Sequence, residues 1–117
     1  MEKFVERTLL YDFYGELLTK RQQQIYESVV LEDYSLSEVA EELNISRQGV
    51  HDMIKRCNHT LEDYEARLHL VAKFLTAKEK IKEIHTLSRR LLKEDKEQME
   101  EDIRQIESVC NQVLEDL

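Results

Sequence analysis

The chain contains no proline, no tryptophan and only two glycines among 117 residues. Proline and glycine punctuate loops, so their scarcity predicts helices joined by very short connections. A β-rich fold would need more turn residues than this, and more β-branched and aromatic residues than a chain with 7% aromatics offers. Cysteine is scarce too: Cys57 and Cys110 are far apart, with no C-x-x-C spacing, and read as two structural thiols. No apolar run reaches the roughly 18 residues of a membrane span, and Met1–Arg7 lacks the apolar stretch of a signal peptide. A cytoplasmic protein with no membrane insertion is expected.

What is present is charge and helical periodicity. Hydrophobic residues make up 41%, enough for a core, and charged residues 36%, with a net charge of −8. The acidic balance weighs against non-specific nucleic-acid binding through overall charge.

Val5, Leu9, Phe13 and Leu17 share one helical face, which predicts a first helix over residues 2–18. Thr19-Lys20-Arg21-Gln22 reads as a capping box opening a second helix, with Ile25, Tyr26 and Val29 inward, to about Asp33. Ser35-Leu36-Ser37-Glu38 is another box, starting a short helix whose inner face is Leu36, Val39, Ala40 and Leu43. Asn44 suits a left-handed helix end, and Ser46 suits a new N-cap.

The next stripe, Val50, Ile54, Cys57, Leu61, Tyr64, Leu68, Val71 and Leu75, alternates 4 and 3 without a break. It predicts one helix from Arg47 to about Leu75, roughly 45 Å long at 1.5 Å per residue. Thr76-Ala77-Lys78-Glu79 has the form of a further box, so a turn is expected there. Ile81, Ile84, Ser88 and Leu91, backed by Leu87 and Leu92, then precede a cap at Asp95 and a second stripe of Met99, Ile103, Ile106, Cys110, Val113 and Leu117. These predict a helical hairpin or coiled-coil arm, with one continuous helix as the alternative. Residues 76–93 carry net +4 and residues 94–117 net −7, which suits antiparallel pairing as well as two solvated faces.

Ser35 to Lys55 carries the functional signal. A short helix, a tight turn and a second helix match the helix-turn-helix plan. Ala40 supplies a small residue at the crossing, and Leu36, Val39, Ile45, Val50 and Ile54 supply apolar contacts. At about 100° per residue from Val50, His51, Lys55, Gln48, His59 and Asp52 fall between about 100° and 200°, opposite the core stripe. Gln48, His51 and Lys55 offer directional groups for base edges, whereas Arg47, Arg56, Ser46 and the helix N-terminus suit phosphates. Gly49 gains nothing inside a helix, where it costs about 0.5–1 kcal/mol relative to Ala, so a close approach of the first helix or a phosphate is expected there. The same face is compatible with an ordinary solvated surface, and Asp52 favours that reading because a carboxylate repels phosphate. The local balance over residues 44–60 is nevertheless positive: Arg47, Lys55 and Arg56 against Asp52 alone.

Leu18-Thr19-Lys20-Arg21-Gln22-Gln23, Ser35-Leu36-Ser37-Glu38-Val39-Ala40-Glu41 and Ile45-Ser46-Arg47-Gln48-Gly49-Val50 together resemble the sigma-factor region-four helix-turn-helix. Within that superfamily the whole length is similar to the YlxM family of small bacterial proteins, most clearly at Phe13-Tyr14, Asp33-Tyr34 and Ser46 to Arg56. The resemblance implies an all-α fold, a sigma region-four-like helix-turn-helix with a long helix and a helical extension. It implies a DNA-binding regulatory role and a link to the signal recognition particle pathway through neighbouring genes.

The expectation is therefore a helix-turn-helix DNA-binding domain over 1–60 and a dimerisation or interaction extension over 61–117. The expected DNA-binding set is Ser46, Arg47, Gln48, Gly49, His51, Asp52, Lys55 and Arg56, in a homodimer with two recognition helices. The alternative is an accessory protein contacting signal recognition particle protein or RNA through Lys78, Lys80, Lys82, Arg89, Arg90 and Lys93. The four histidines lie on separate turns without ligand spacing and no phosphate-binding glycine loop occurs, so no metal, cofactor or enzymatic activity is expected. Glu41-Glu42 and Glu100-Glu101-Asp102 read as solvated faces, and Tyr11, Tyr14, Tyr26 and Tyr64 as core.

Overall fold

A computed structural model describes residues 2–93 and 95–117. Among them every regular element is helical: α1 (Lys3–Tyr14), α2 (Lys20–Tyr26), α3 (Leu36–Leu43), α4 (Arg47–Leu68), α5 (Leu70–Leu91) and α6 (Lys96–Asp116). A single 3₁₀ turn, Gly15–Leu17, follows α1, and a π-helical turn, Glu27–Leu31, follows α2. The chain forms two compact units, Met1–Val71 and Ala72–Leu117. Residues 60 and 61 are consecutive within α4.

In the first unit the two expected capping boxes are formed. Thr19 Oγ1 accepts from Gln22 N–H at 3.1 Å while Gln22 Oε1 accepts from Thr19 N–H at 2.9 Å. Ser35 and Glu38 do the same at 3.0 and 3.4 Å. Each pair satisfies two N–H groups that a helix start otherwise leaves without partners. The core they orient is made of Leu10, Tyr14, Leu18, Ile25, Tyr26, Val39, Ala40, Val50, Ile54, Cys57 and Leu61, all buried. Full burial of each large apolar side chain contributes roughly 1.5–3 kcal/mol.

Of the four tyrosines expected in the core, Tyr14 and Tyr26 are buried and Tyr11 and Tyr64 half-buried beside them. Tyr11 stacks on Tyr26 with centroids 5.3 Å apart, and Tyr14 stacks on Tyr64 at 5.9 Å. Tyr11 donates to Glu27 at 2.5 Å, Tyr26 to Asn58 at 2.6 Å and Tyr14 to Glu65 at 2.6 Å. Burial raises all three phenols, that of Tyr26 up to about 12. Gly15 is required where α1 ends, because a Cβ there would lie 2.8 Å from the Tyr11 ring.

The helix expected to run from Arg47 to about Leu75 is broken. His69, at φ 58°, ends α4 in the left-handed region, and α5 begins at the next residue. Neither glycine nor proline marks the break; it is held by side chains from elsewhere. Tyr14 Oη accepts from Leu70 N–H at 3.0 Å, and Glu65 Oε1 accepts from Val71 N–H at 2.9 Å. The turn expected at Thr76–Glu79 is absent, and α5 passes straight through it.

The second unit is a hairpin, not a continuous helix. Asp95 caps α6 by accepting from Gln98 N–H at 2.9 Å. Lys80 bonds Gln112, and Arg90 reaches Asp102 at 3.0 Å, so α5 and α6 run antiparallel with the basic helix beside the acidic one. Leu87, Val109 and Asp102 are buried at their seam, with Ile84, Leu91, Ile106 and Val113 half-buried. Two expectations fail here. Ile81, Ser88, Leu92, Met99, Ile103 and Leu117 of the expected stripes are exposed, and Asp102, expected on a solvated face, is only 1% exposed, held by Arg90 and by Gln98 Nε2 at 3.3 Å. A carboxylate inside a seam is tolerable only when paired and hydrogen-bonded in this way.

Candidate nucleic-acid interface

α3 ends at Asn44, whose φ of 56° lies in the left-handed region; Ile45 N–H reaches back to Ala40 carbonyl at 3.0 Å and Asn44 N–H to Glu41 carbonyl at 3.3 Å. This closure satisfies the last carbonyls of α3 and reverses the chain within three residues. Ile45 half-buries in the corner, and Ser46 then caps α4, its Oγ accepting from Gly49 N–H at 2.9 Å. The turn is therefore encoded twice, by the helix end and by the helix start. Buried Val39 and Ala40 on α3, with buried Val50 and Ile54 on α4, hold the two helices as the sequence predicts.

The outward face of α4 carries the residues expected to touch DNA. Ser46, Arg47, Gln48, His51, Asp52, Lys55 and Arg56 are exposed, and Gly49 is half-buried. His59 continues the same exposed face. Leu36, Arg47, Gln48 and His51 line a shallow groove between the start of α3 and the start of α4. The expected close approach of the first helix is not found at Gly49, where the capping serine is the near neighbour. The close neighbour of a Cβ at that position is the capping Ser46 Oγ, 3.0 Å away, so the missing side chain serves the cap.

Asp52 organises the polar groups on this face. Its Oδ1 accepts from Gln48 Nε2 at 2.9 Å and lies 3.6 Å from His51 Nδ1. A Gln and an Asp four residues apart are helix-surface neighbours, so this contact was open to inference from spacing, and sequence reasoning missed it. One amide hydrogen of Gln48 is thus engaged, which restrains the carboxamide, while its carbonyl oxygen and second hydrogen bond no other described residue. Arg47, Lys55 and Arg56 form no ion pair with another described residue. No acidic residue occupies the first turn of α4, so no carboxylate offsets its partial positive charge, and of its first N–H groups that of Gly49 is taken by Ser46 Oγ.

Cys57 lies on the opposite, core side of α4, buried, its thiol pushed up by burial. His51, His59, His69 and His85 are all exposed, and no three His, Cys, Asp or Glu gather closely enough among the described residues to hold a metal ion. No helix of the described residues is long and apolar enough to cross a membrane.

Comparison with known proteins places residues 1–112 in the UPF0122 family, described as "Putative helix-turn-helix protein, YlxM / p13 like". The chain is 55% identical over 84 residues, 72% of each chain, to a UPF0122 protein of Acetivibrio thermocellus. It is 52% identical over 83 residues, 71% of each chain, to UPF0122 protein TTE1463 of Caldanaerobacter subterraneus subsp. tengcongensis. UPF0122 protein YofM of Lactococcus lactis subsp. lactis is 43% identical over 84 residues, 72% of this chain and 76% of that one.

Proposed function

The chain belongs to the UPF0122 family of helix-turn-helix proteins, and from that premise we propose that it is a cytoplasmic DNA-binding regulator acting as a homodimer. The observation that carries this reading is the exposed start of α4, where three unpaired cations surround an oriented Gln48. Ser46, Arg47 and the remaining N-terminal N–H groups of α4 meet phosphate, where Gly49 leaves room for it, with Arg56 at the flank. Gln48, His51 and Lys55 face base edges in the major groove. Asp52 does not contact phosphate; it holds Gln48 so that the outward amide edge is presented. A carboxamide held in this way pairs best with adenine, accepting from N6 and donating to N7.

The first unit is the DNA-binding part and the second the self-association part. A dimer places two recognition helices on one DNA molecule, at half-sites about 34 Å apart if both enter the same side of the duplex. The net charge of −8 makes sequence-independent binding weak, so affinity is modest and strongly salt-dependent.

The test is a gel-shift titration with fragments from the protein's own operon at about 50 mM salt and again at about 200 mM. Salt-sensitive binding is expected, lost in the Gln48→Ala, Lys55→Ala double variant at an unchanged Tm. No shift at low salt overturns the proposal.

A second reading, an accessory role toward signal recognition particle protein or RNA, draws on the exposed basic flank of α5. Lys78, Lys82, Arg89 and Lys93 are exposed, Lys82 beside Glu79, whereas Lys80 and Arg90 bond across to α6. Nuclease-sensitive co-purification with ribonucleoprotein, without a DNA shift, would favour it over the regulatory role.

A further inference from the structure

The seam of the α5–α6 hairpin leaves apolar side chains of both helices exposed. At about 100° per residue, the seam of α5 centres on Leu87, Leu91 and Ile84, and a second stripe, Phe74 and Ile81, lies about 90° further round. On α6 the seam centres on Val109, Asp102 and Val113, and Met99, Ile103 and Leu114 lie displaced by about 60° to 120° in the same rotational sense. Right-handed helices that run antiparallel bring displacements of the same sense to the same side. The two stripes therefore form one face of the hairpin. Its members are 37% to 71% exposed in the folded chain.

The borders of this face are charged with opposite signs. Beyond the α5 stripe stand Lys78, His85, Arg89 and Lys82, the last 3.9 Å from Glu79. Beyond the α6 stripe stand Glu100, Glu107 and Glu115, with Arg104 paired to Glu100 at 3.7 Å. Lys78 also sits 6.0 Å from the Phe74 ring centre, at the edge of the apolar strip. Across the face the order is thus basic, apolar, apolar, acidic.

We propose that this face is covered by the same face of a second copy, forming a four-helix bundle in which α5 of each copy packs on α6 of the other. Two apolar helix pairs stacked face to face are the construction of such a bundle. Charge selects the two-fold axis. An axis across the helices would lay basic rim on basic rim and acidic on acidic. An axis along the bundle lays every basic rim beside an acidic one. The register set by the Lys80–Gln112 and Arg90–Asp102 bonds then brings His85 level with Glu107 of the second copy, and Ile81 level with its Cys110–Asn111 step. Each α5 gains an acidic neighbour from the other chain to match the one it has in its own.

The inference deepens the self-association half of the proposed function, and its readout is mass, so it stands or falls without DNA. Full-length protein at tens of micromolar is expected to sediment at twice the chain mass. Ile81→Glu and Leu114→Glu, made separately because both side chains are exposed, are each expected to give monomer with unchanged helical circular dichroism. A second experiment reads the pairing: Ile81→Cys under a mild thiol oxidant is expected to bridge position 81 of one copy to Cys110 of the other. A monomeric wild-type protein overturns the proposal, as does a dimer that survives both glutamate substitutions. A bridge from position 81 to position 81 overturns the axis.

Discussion

The hydroxyl of Tyr14 lies 2.6 Å from Glu65 Oε1 and donates to it, and the same hydroxyl accepts from Leu70 N–H at 3.0 Å. A residue of α1 therefore caps the start of α5, while Glu65 on α4 holds Val71 N–H beside it. The His69 break exists because these two side chains supply what an N-cap would supply locally. The positive φ of His69 is compensated by that tertiary network.

Tyr14→Phe is expected to remove one donor and one acceptor from a buried junction at constant ring volume. The loss should be about 1–3 kcal/mol, read as a lower urea midpoint at unchanged slope. Hydrogen exchange of the Leu70 and Val71 amides should quicken more than that of the α2 amides. Unchanged exchange at those amides would show that the cap does not hold the break.

Stability should be flat toward neutral pH and fall in alkali. Tyr11, Tyr14 and Tyr26 all have their folded-state values raised by burial, Tyr26 to about 12, against about 10 in the unfolded chain. A raised folded value means the folded state keeps its proton longer. The stabilising contribution is complete below pH ~10 and is lost as pH rises through the folded value. Urea midpoints should begin to drop near pH 10, with the Tyr11, Tyr14 and Tyr26 phenolates, followed residue by residue, appearing together with unfolding. Ionisation of any of these three in a fully folded chain below pH 11 would contradict the burial argument.

Arg90→Met leaves Asp102 inside the α5–α6 seam with Gln98 but without its cation. The expected cost is about 2–3 kcal/mol, below the 3–5 kcal/mol of a fully buried pair because Arg90 is itself half-exposed. Replacing both residues, Arg90→Met with Asp102→Leu, should recover most of it. Amide exchange along α6 separates the two cases.

Asp52→Asn keeps an acceptor for Gln48 and removes the one negative charge on the recognition face. DNA affinity should rise several-fold, by about 1 kcal/mol, and the salt dependence should steepen. Asp52→Ala, which also releases Gln48, should raise affinity while lowering discrimination at the base that Gln48 contacts. Equal affinities for all three proteins in titrations would place this face away from DNA.

Much of the fold is legible in order along the chain because its determinants are local. Thr19, Ser35, Ser46 and Asp95 act within three residues of themselves, and each caps the helix expected of it. The outward placement of Gln48, His51, Asp52 and Lys55 follows from helical period alone. The Gln48–Asp52 bond was equally local, but its consequence depends on the rotamers that α4 allows.

The amino-acid sequence by itself determined an all-helical chain, the helix-turn-helix and the exposed residues at the start of α4, since caps and periodicity operate over a few residues. Tertiary structure decided where the long apolar stripe stops being one helix, because Tyr14 and Glu65 act across the fold and leave no punctuation at His69. It also decided which side of α5 and α6 is buried. Both helices carry apolar residues over more than one face, and the Arg90–Asp102 pair selects the seam that leaves Phe74, Ile81, Met99, Ile103 and Leu114 outside.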